Sequence, residues 1–191
     1  MHDSLKIDPA RAAFLFVDIQ EKLHAVMAET LREGVERNIP VLAEAARRFA
    51  IPVVASEQYP RGLGPTIPVV EQALATLGDG VHRFEKVEFS ACDAEPFARL
   101  HAELVGRDQW IVTGMEAHVC VYQSVRGLLD RDASVHVVRD AVASRTIENR
   151  DVGLGLIERA GAAITSTEVV VFDLLQKAGG DDFKALSRLI R

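Results

Sequence analysis

Short apolar runs alternating with helically spaced segments are what most constrain this chain. Ala12-Ala13-Phe14-Leu15-Phe16-Val17 is continuous rather than alternating and stops at Asp18, the pattern of a strand buried on both faces. Pro52–Ala55 is a second buried strand, and further strands are predicted at Val81–Lys86, Gln109–Thr113, Val135–Val138 and Ala162–Thr165. Between the first two, Leu31, Val35, Ile39, Leu42, Ala46 and Phe49 form a helical stripe, with Pro40 marking a kink or a restart. Further helices are predicted over Val69–Leu77, from Pro96 to Val105, after Cys120, over Ile147–Ala160 and from Thr167, with an amphipathic tail over Asp181–Arg191. Pro60 to Pro68 reads as a long irregular loop. Six strands alternating with helices predict an α/β fold: a three-layer α/β/α sandwich around a six-stranded, mostly parallel, Rossmann-like sheet. At 191 residues, a single domain spanning residues 1–191 is the simplest organisation.

Composition narrows the function classes. A net charge of −6 and a pI near 5.5 argue against nucleic acid or an anionic membrane as partner. No run approaches the roughly eighteen apolar residues of a membrane span. Met1-His2-Asp3-Ser4-Leu5-Lys6 lacks the basic and apolar regions of a secretory signal. Two cysteines, Cys92 and Cys120, fit a reducing cytoplasm and no disulfide framework. Six dispersed histidines give no metal signature. The expectation is a cytoplasmic protein acting on a small molecule, without a cofactor.

Ligands of open α/β sheets bind outside the carboxyl ends of the strands. The polar residues at those ends are Asp18, Glu57, Gln58, Lys86, Thr113 and Cys120, with Asp140 beyond the fifth strand. The segment Ile111–Val121 runs from strand through Gly114 into a helical pattern, which places Cys120 in a first helical turn. There the helix dipole and unpaired N–H groups favour a thiolate, the nucleophilic form. A lysine about 4 Å away adds roughly 4 kcal/mol at an effective dielectric near 20. That is about three pKa units, enough to bring a thiol below neutrality. Cys120 as nucleophile, Asp18 as its base and Lys86 as the charge that holds both anions form one scheme. Taken singly, each has a plainer reading. A cysteine in an apolar helix usually packs as a small hydrophobe, Asp18 could cap a turn and Lys86 could be a solvated charge. Cys92 has no such neighbours and reads as structural. His118 could line the pocket or simply pack. Gly153-Leu154-Gly155 hints at a dinucleotide fingerprint but lies inside a helix, so it is set aside.

Three segments in order carry a family resemblance. They are Phe16-Val17-Asp18-Ile19-Gln20, Glu85-Lys86 followed by Phe89-Ser90, and Gly114-Met115-Glu116-Ala117-His118-Val119-Cys120-Val121. With them the chain resembles the isochorismatase-like cysteine hydrolases, over Ala12–Val170. Ser56-Glu57-Gln58-Tyr59-Pro60, Gly62-Leu63-Gly64 and Met115-Glu116-Ala117-His118 look like the isochorismatase domain-containing branch. The resemblance implies a triad of Asp18, Lys86 and Cys120, and an oxyanion hole made by the backbone N–H groups of Glu116 and Cys120. It also implies a cis peptide between Met115 and Glu116, and a homo-oligomer, dimer or larger. Substrate-lining candidates are Gln20, Gln58, Tyr59, Phe84, Phe89, His118 and Tyr122. Nicotinamidases of this family bind a metal through Asp-Trp-His-Pro at the second strand end. Here that segment reads Glu57-Gln58-Tyr59-Pro60, and no histidine occurs between His24 and His82. Isochorismatases proper cleave a vinyl ether without this cysteine, so Cys120 favours a C–N acyl bond.

Two functions of different classes follow: a hydrolase of small amides, ureides or related acyl compounds working through a thioester, or a triad-bearing binding or scaffold protein with little turnover. A redox role for Cys120 is weaker, with no resolving cysteine near in sequence. Because Glu57 alone cannot hold a transition metal against water, EDTA should leave hydrolysis unchanged. Activity lost to EDTA and restored by zinc or manganese would refute the metal-free reading.

Overall fold

A computed structural model of the chain describes residues 5–190. Met1–Ser4, part of the N-terminal stretch read above, and Arg191, the end of the predicted tail, lie outside the described residues. The strands are β1 (Ala12–Val17), β2 (Val53–Gln58), β3 (Val81–Lys86), β4 (Gln109–Met115), β5 (Ser134–Ala143) and β6 (Ala163–Thr165). The helices are α1 (Glu21–Val26), α2 (Glu29–Arg48), α3 (Pro60–Leu63), α4 (Pro68–Ala75), α5 (Glu95–Glu103), α6 (Tyr122–Leu129), α7 (Ile147–Ala160), α8 (Thr167–Leu175) and α9 (Gly180–Leu189). Every strand pair is parallel and the order is β3-β2-β1-β4-β5-β6. The order reverses between β1 and β4, the point at which such sheets open a crevice.

Side-chain alternation divides the interior into two cores. Ala12, Phe14 and Phe16 of β1 face α2, α4, α8 and α9, while Ala13, Leu15 and Val17 face α5, α6 and α7. Burial on both faces explains the unbroken apolar run. Each large side chain there contributes about 1.5–3 kcal/mol by leaving water.

Local departures from the sequence reading have identifiable causes. α2 continues through Pro40, its packed apolar face outweighing one lost backbone bond. α1 and α3 were not expected, and α3 breaks the loop between Pro60 and Pro68. β5 continues past the polar pair Arg139-Asp140 to Ala143. Its pairing with β4 shifts between Val112 and Gly114, where the Thr113 hydroxyl donates to the Ala141 carbonyl. That irregularity carries Ala143 alongside Met115. Asp140 is turned away to α8, accepting from the N–H and hydroxyl of Thr167 at 2.9 and 3.1 Å.

β4 leads into a five-residue π-helical turn, Ala117–Val121, on which α7 packs. A Cβ on Gly153 would lie 2.8 Å from the backbone of Ala117 and His118, so glycine is what allows this approach. Gly153, the first of the glycine pair set aside in the sequence, is therefore a packing feature. Gly155, two residues on, faces open space. Gly155→Ala should raise stability by about 0.5–1 kcal/mol through helix propensity alone. Gly153→Ala should lower it by about 2 kcal/mol or more. Urea denaturation compares the two, and equal effects would remove the packing argument.

His136 on β5 is 2% exposed, and its Nε2 has no hydrogen-bond partner among the described residues. Burial lowers its pKa, and the nearby Asp173 charge opposes this only in part. The unfolded chain therefore binds this proton more readily than the folded one. His136 favours the folded state above the unfolded value near 6.5, and that stability is lost as pH falls below it. Thermal unfolding between about pH 5 and 7.5 should show a slope that His136→Val reduces; an unchanged slope would exclude His136 as the source.

Candidate active site

Asp18 is the first residue beyond β1, held at φ 50° with its N–H donating to the Ser56 carbonyl at 3.1 Å. Lys86 ends β3. Its Nζ meets Asp18 Oδ2 at 2.6 Å, both side chains fully buried. The Ser56 hydroxyl donates to Asp18 Oδ1 at 2.7 Å. Lys86 Nζ also donates to Gln58 Oε1 at 2.7 Å and to the carbonyls of Glu88 and Phe89 at 3.1 and 3.3 Å. The pair is thus fully hydrogen-bonded, the condition under which buried ions are tolerated. Removing either partner would leave an uncompensated buried charge, about 3–5 kcal/mol in comparable cases.

Cys120, 5% exposed, completes the cluster. Its pKa is pushed up to about 12, first by burial and then by the Asp18 carboxylate, while Lys86 and a hydrogen bond from the Glu116 N–H pull the other way. This corrects the expectation of a thiolate below neutrality. The lysine charge is already engaged by Asp18, and Cys120 sits in a π turn rather than the first turn of an α-helix. Cys92 is also pushed to about 12, chiefly by burial. Resting ionisation therefore does not separate the two thiols. Their neighbours do: Cys92 Sγ donates to the Ser124 carbonyl at 3.3 Å, whereas Cys120 lies against a carboxylate.

The turn that carries Cys120 is fixed from several sides. Gly114 has φ 123°, and a Cβ there would lie 2.0 Å from the Val17 carbonyl oxygen, so no other residue fits. The Met115–Glu116 peptide is cis. The Glu116 carbonyl accepts from the N–H groups of Val119 and Val121 at 3.0 and 3.1 Å, the second a five-residue π bond. From the end of β5, Ser144 Oγ lies 3.0 Å from His118 Nδ1, and Arg145 Nε donates to Glu116 Oε1 at 2.7 Å.

The remaining candidates divide sharply. Gln20 is buried, accepts from the Gln58 N–H at 2.7 Å and donates to the carbonyls of Gln58 and Gly64 at 3.0 and 2.7 Å. Gln58 gives its amide N–H to the Val87 carbonyl at 2.8 Å and its oxygen to Lys86. Both brace the strand ends. Phe84 is core, its ring 6.2 Å from that of Phe97. Glu57 closes the following loop, accepting from Thr66 N–H and Oγ1, each at 2.7 Å. Tyr59 and Phe89 are exposed, and Tyr59 borders a cleft of about 440 Å³ shared with Lys86, Val87 and Glu88. Half-buried Tyr122 lies beneath the Arg126 guanidinium, 5.5 Å from it. Among the described residues, no group of three or more His, Cys, Asp or Glu is placed to hold a metal ion. Ser56, Ser144, Arg145 and Gly153 were not singled out from the sequence. Each acts on a residue distant in the chain, and nothing local marks it.

The isochorismatase domain profile matches residues 12–169. Bovine isochorismatase domain-containing protein 2 is 32% identical over 191 aligned residues, covering 97% of this chain and 86% of its own. A solved Caenorhabditis elegans structure, described as a MAR1 ribonuclease, is 34% identical with a TM-score of 0.87, covering 97% of this chain and 92% of its own. YcaC from Pseudomonas aeruginosa, solved with hexane-2,5-diol and covalent acrylamide, is 25% identical with a TM-score of 0.86, covering 97% and 96%. The fold and the profile match lead to one conclusion: the chain belongs to the isochorismatase family of hydrolases.

Proposed function

We propose that the protein hydrolyses a small acyl compound, such as an amide or ureide, through a thioester on Cys120. The observation that carries this reading is the placement of a buried, lysine-paired carboxylate directly against a buried thiol. Because the thiol rests neutral, Asp18 takes its proton as Sγ attacks the acyl carbon, and no free thiolate precedes the step. The electron pair of the carbonyl moves onto oxygen, which receives the N–H groups of Glu116 and Cys120. When the intermediate collapses, the C–N bond breaks and the nitrogen leaves with the proton held by Asp18. Water then attacks the thioester, giving its proton to Asp18. The acid is released and the proton returns to sulfur. Lys86 keeps Asp18 oriented between steps. The Pseudomonas relative, solved with covalent acrylamide, carries a nucleophile of its own, which fits this reading.

A proton acceptor of this kind contributes about a hundred- to ten-thousandfold. Asp18→Asn should lower thioester formation by that factor, and Cys120→Ala should abolish it while preserving the fold. Mass spectrometry after incubation with an amide library reads the acyl adduct on Cys120. The panel includes RNA, since the Caenorhabditis relative is described as a ribonuclease. RNA cleavage that survives Cys120→Ala would overturn the thioester route. Folded protein with neither adduct nor product across the panel would favour a binding or scaffold role.

A further inference from the structure

Lys86 alone does not set the direction in which Asp18 offers a basic lone pair. Its ammonium meets one carboxylate oxygen, Oδ2. The torsion that turns an aspartate carboxylate about its Cβ–Cγ bond is broad and two-fold. One contact to a rounded ammonium therefore leaves the carboxylate plane free to swing. The second contact comes from Ser56, 2% exposed, whose hydroxyl donates to Oδ1 at 2.7 Å. The Ser56 carbonyl also accepts the Asp18 N–H at 3.1 Å, so one residue holds both the backbone and the side chain of the base. Ser56 is itself fixed in the sheet, paired with Val17 on one side and Phe84 on the other.

Strand packing gives little reason for a serine here. Val53, Val54 and Ala55 before it are buried and apolar, and β-branched or aromatic residues are what strands favour. By alternation Ser56 lies on the face of Val54, which belongs to the same core as Cys120. An apolar side chain would fill that place without a hydroxyl to satisfy. Among the described residues, the hydroxyl's partner is Asp18. Each carboxylate oxygen keeps a lone pair beyond the one given to Ser56 or Lys86. The plane of the carboxylate decides whether such a lone pair points at Cys120, whose thiol hydrogen-bonds to Asp18.

We propose that Ser56 is the positioning residue of the base: its hydroxyl fixes the plane of the Asp18 carboxylate so that an unshared lone pair faces the Cys120 thiol. The inference rests on the reading of Cys120 as nucleophile and Asp18 as its proton acceptor. Iodoacetamide tests it without knowledge of the substrate. Sγ displaces iodide from the methylene carbon, and the thiol proton passes to Asp18 and then to solvent.

Peptide mapping gives the alkylation rates at Cys120 and, as a reporter of fold opening, at buried Cys92. Ser56→Ala should slow Cys120 by about ten- to a hundredfold, the range for a misplaced reacting group, and leave Cys92 unchanged. An unchanged Cys120 rate overturns the proposal. So does a faster one: a hydroxyl that only withdrew electron density would leave a stronger base when removed. If Cys92 speeds up because Ser56→Ala loosens the fold, the isosteric pair Ser56→Thr and Ser56→Val decides. Both add the same bulk and only threonine keeps the hydroxyl, so Ser56→Thr should react faster at Cys120 by a similar factor. Equal rates in that pair overturn the proposal. The infrared S–H stretch of Cys120, assigned by its loss in Cys120→Ala, reads the geometry with no reagent. In Ser56→Ala it should broaden and move toward a free thiol, while the Cys92 band, set by the Ser124 carbonyl, stays in place. A Cys120 band that does not move also overturns the proposal. If iodoacetamide does not modify Cys120 in the intact protein, the nucleophile reading fails and takes this inference with it. A Cys120 that reacts but is indifferent to residue 56 refutes the positioning role alone.

Discussion

The contact between Lys86 and Asp18 governs this end of the molecule. The two residues belong to β3 and to the end of β1, which are not neighbours in the sheet, so their 2.6 Å contact reaches across β2. β2 contributes to the contact from beneath, Ser56 donating to the carboxylate and Gln58 accepting from the ammonium. Burying two ions costs several kcal/mol each unless attraction and hydrogen bonds offset it. Here every strand end nearby is arranged to supply them. Gln20 and Glu57, polar residues a reader would assign to ligand binding, hold the adjoining backbone in place.

Burial first, and then the same pair, set the state of the thiol. A lysine satisfied by a carboxylate has little field left for a third group, and the carboxylate itself opposes a second negative charge. The sulfur is therefore stored with its proton, next to the group that can remove it. In the proposed chemistry the sulfur attacks as Asp18 takes its proton, because the thiolate is the reactive form.

Much of this could be read from the chain. Apolar runs located most of the strands, two strand ends located Asp18 and Lys86, and the strand-to-helix turn after Gly114 located Cys120. Their convergence followed from the rule for parallel sheets. What could not be read depended on contacts between distant segments. β5 was cut short because Arg139-Asp140 looks like a strand end; only the packing of α2 and α8 around Asp140 shows otherwise. Phe84, Gln20 and Gln58 stand where a parallel sheet opens its ligand crevice, and only the folded contacts show that core packing and backbone bracing use all three. The thiol's ionisation is not legible either: the lysine and the helix terminus are visible in the chain, but the burial that outweighs them is not.

The close approach of Gly114 to Val17 fixes more than the local turn. A side chain at residue 114 would collide with the backbone that leads directly into Asp18. The base and the nucleophile turn therefore share one backbone contact and cannot be adjusted independently. New substrate preferences in a scaffold of this kind have to arise elsewhere, on the exposed rim at Tyr59, Val87 and Phe89 or beyond the end of β5. The chemistry is inherited as a block, and selectivity is the part left open to drift.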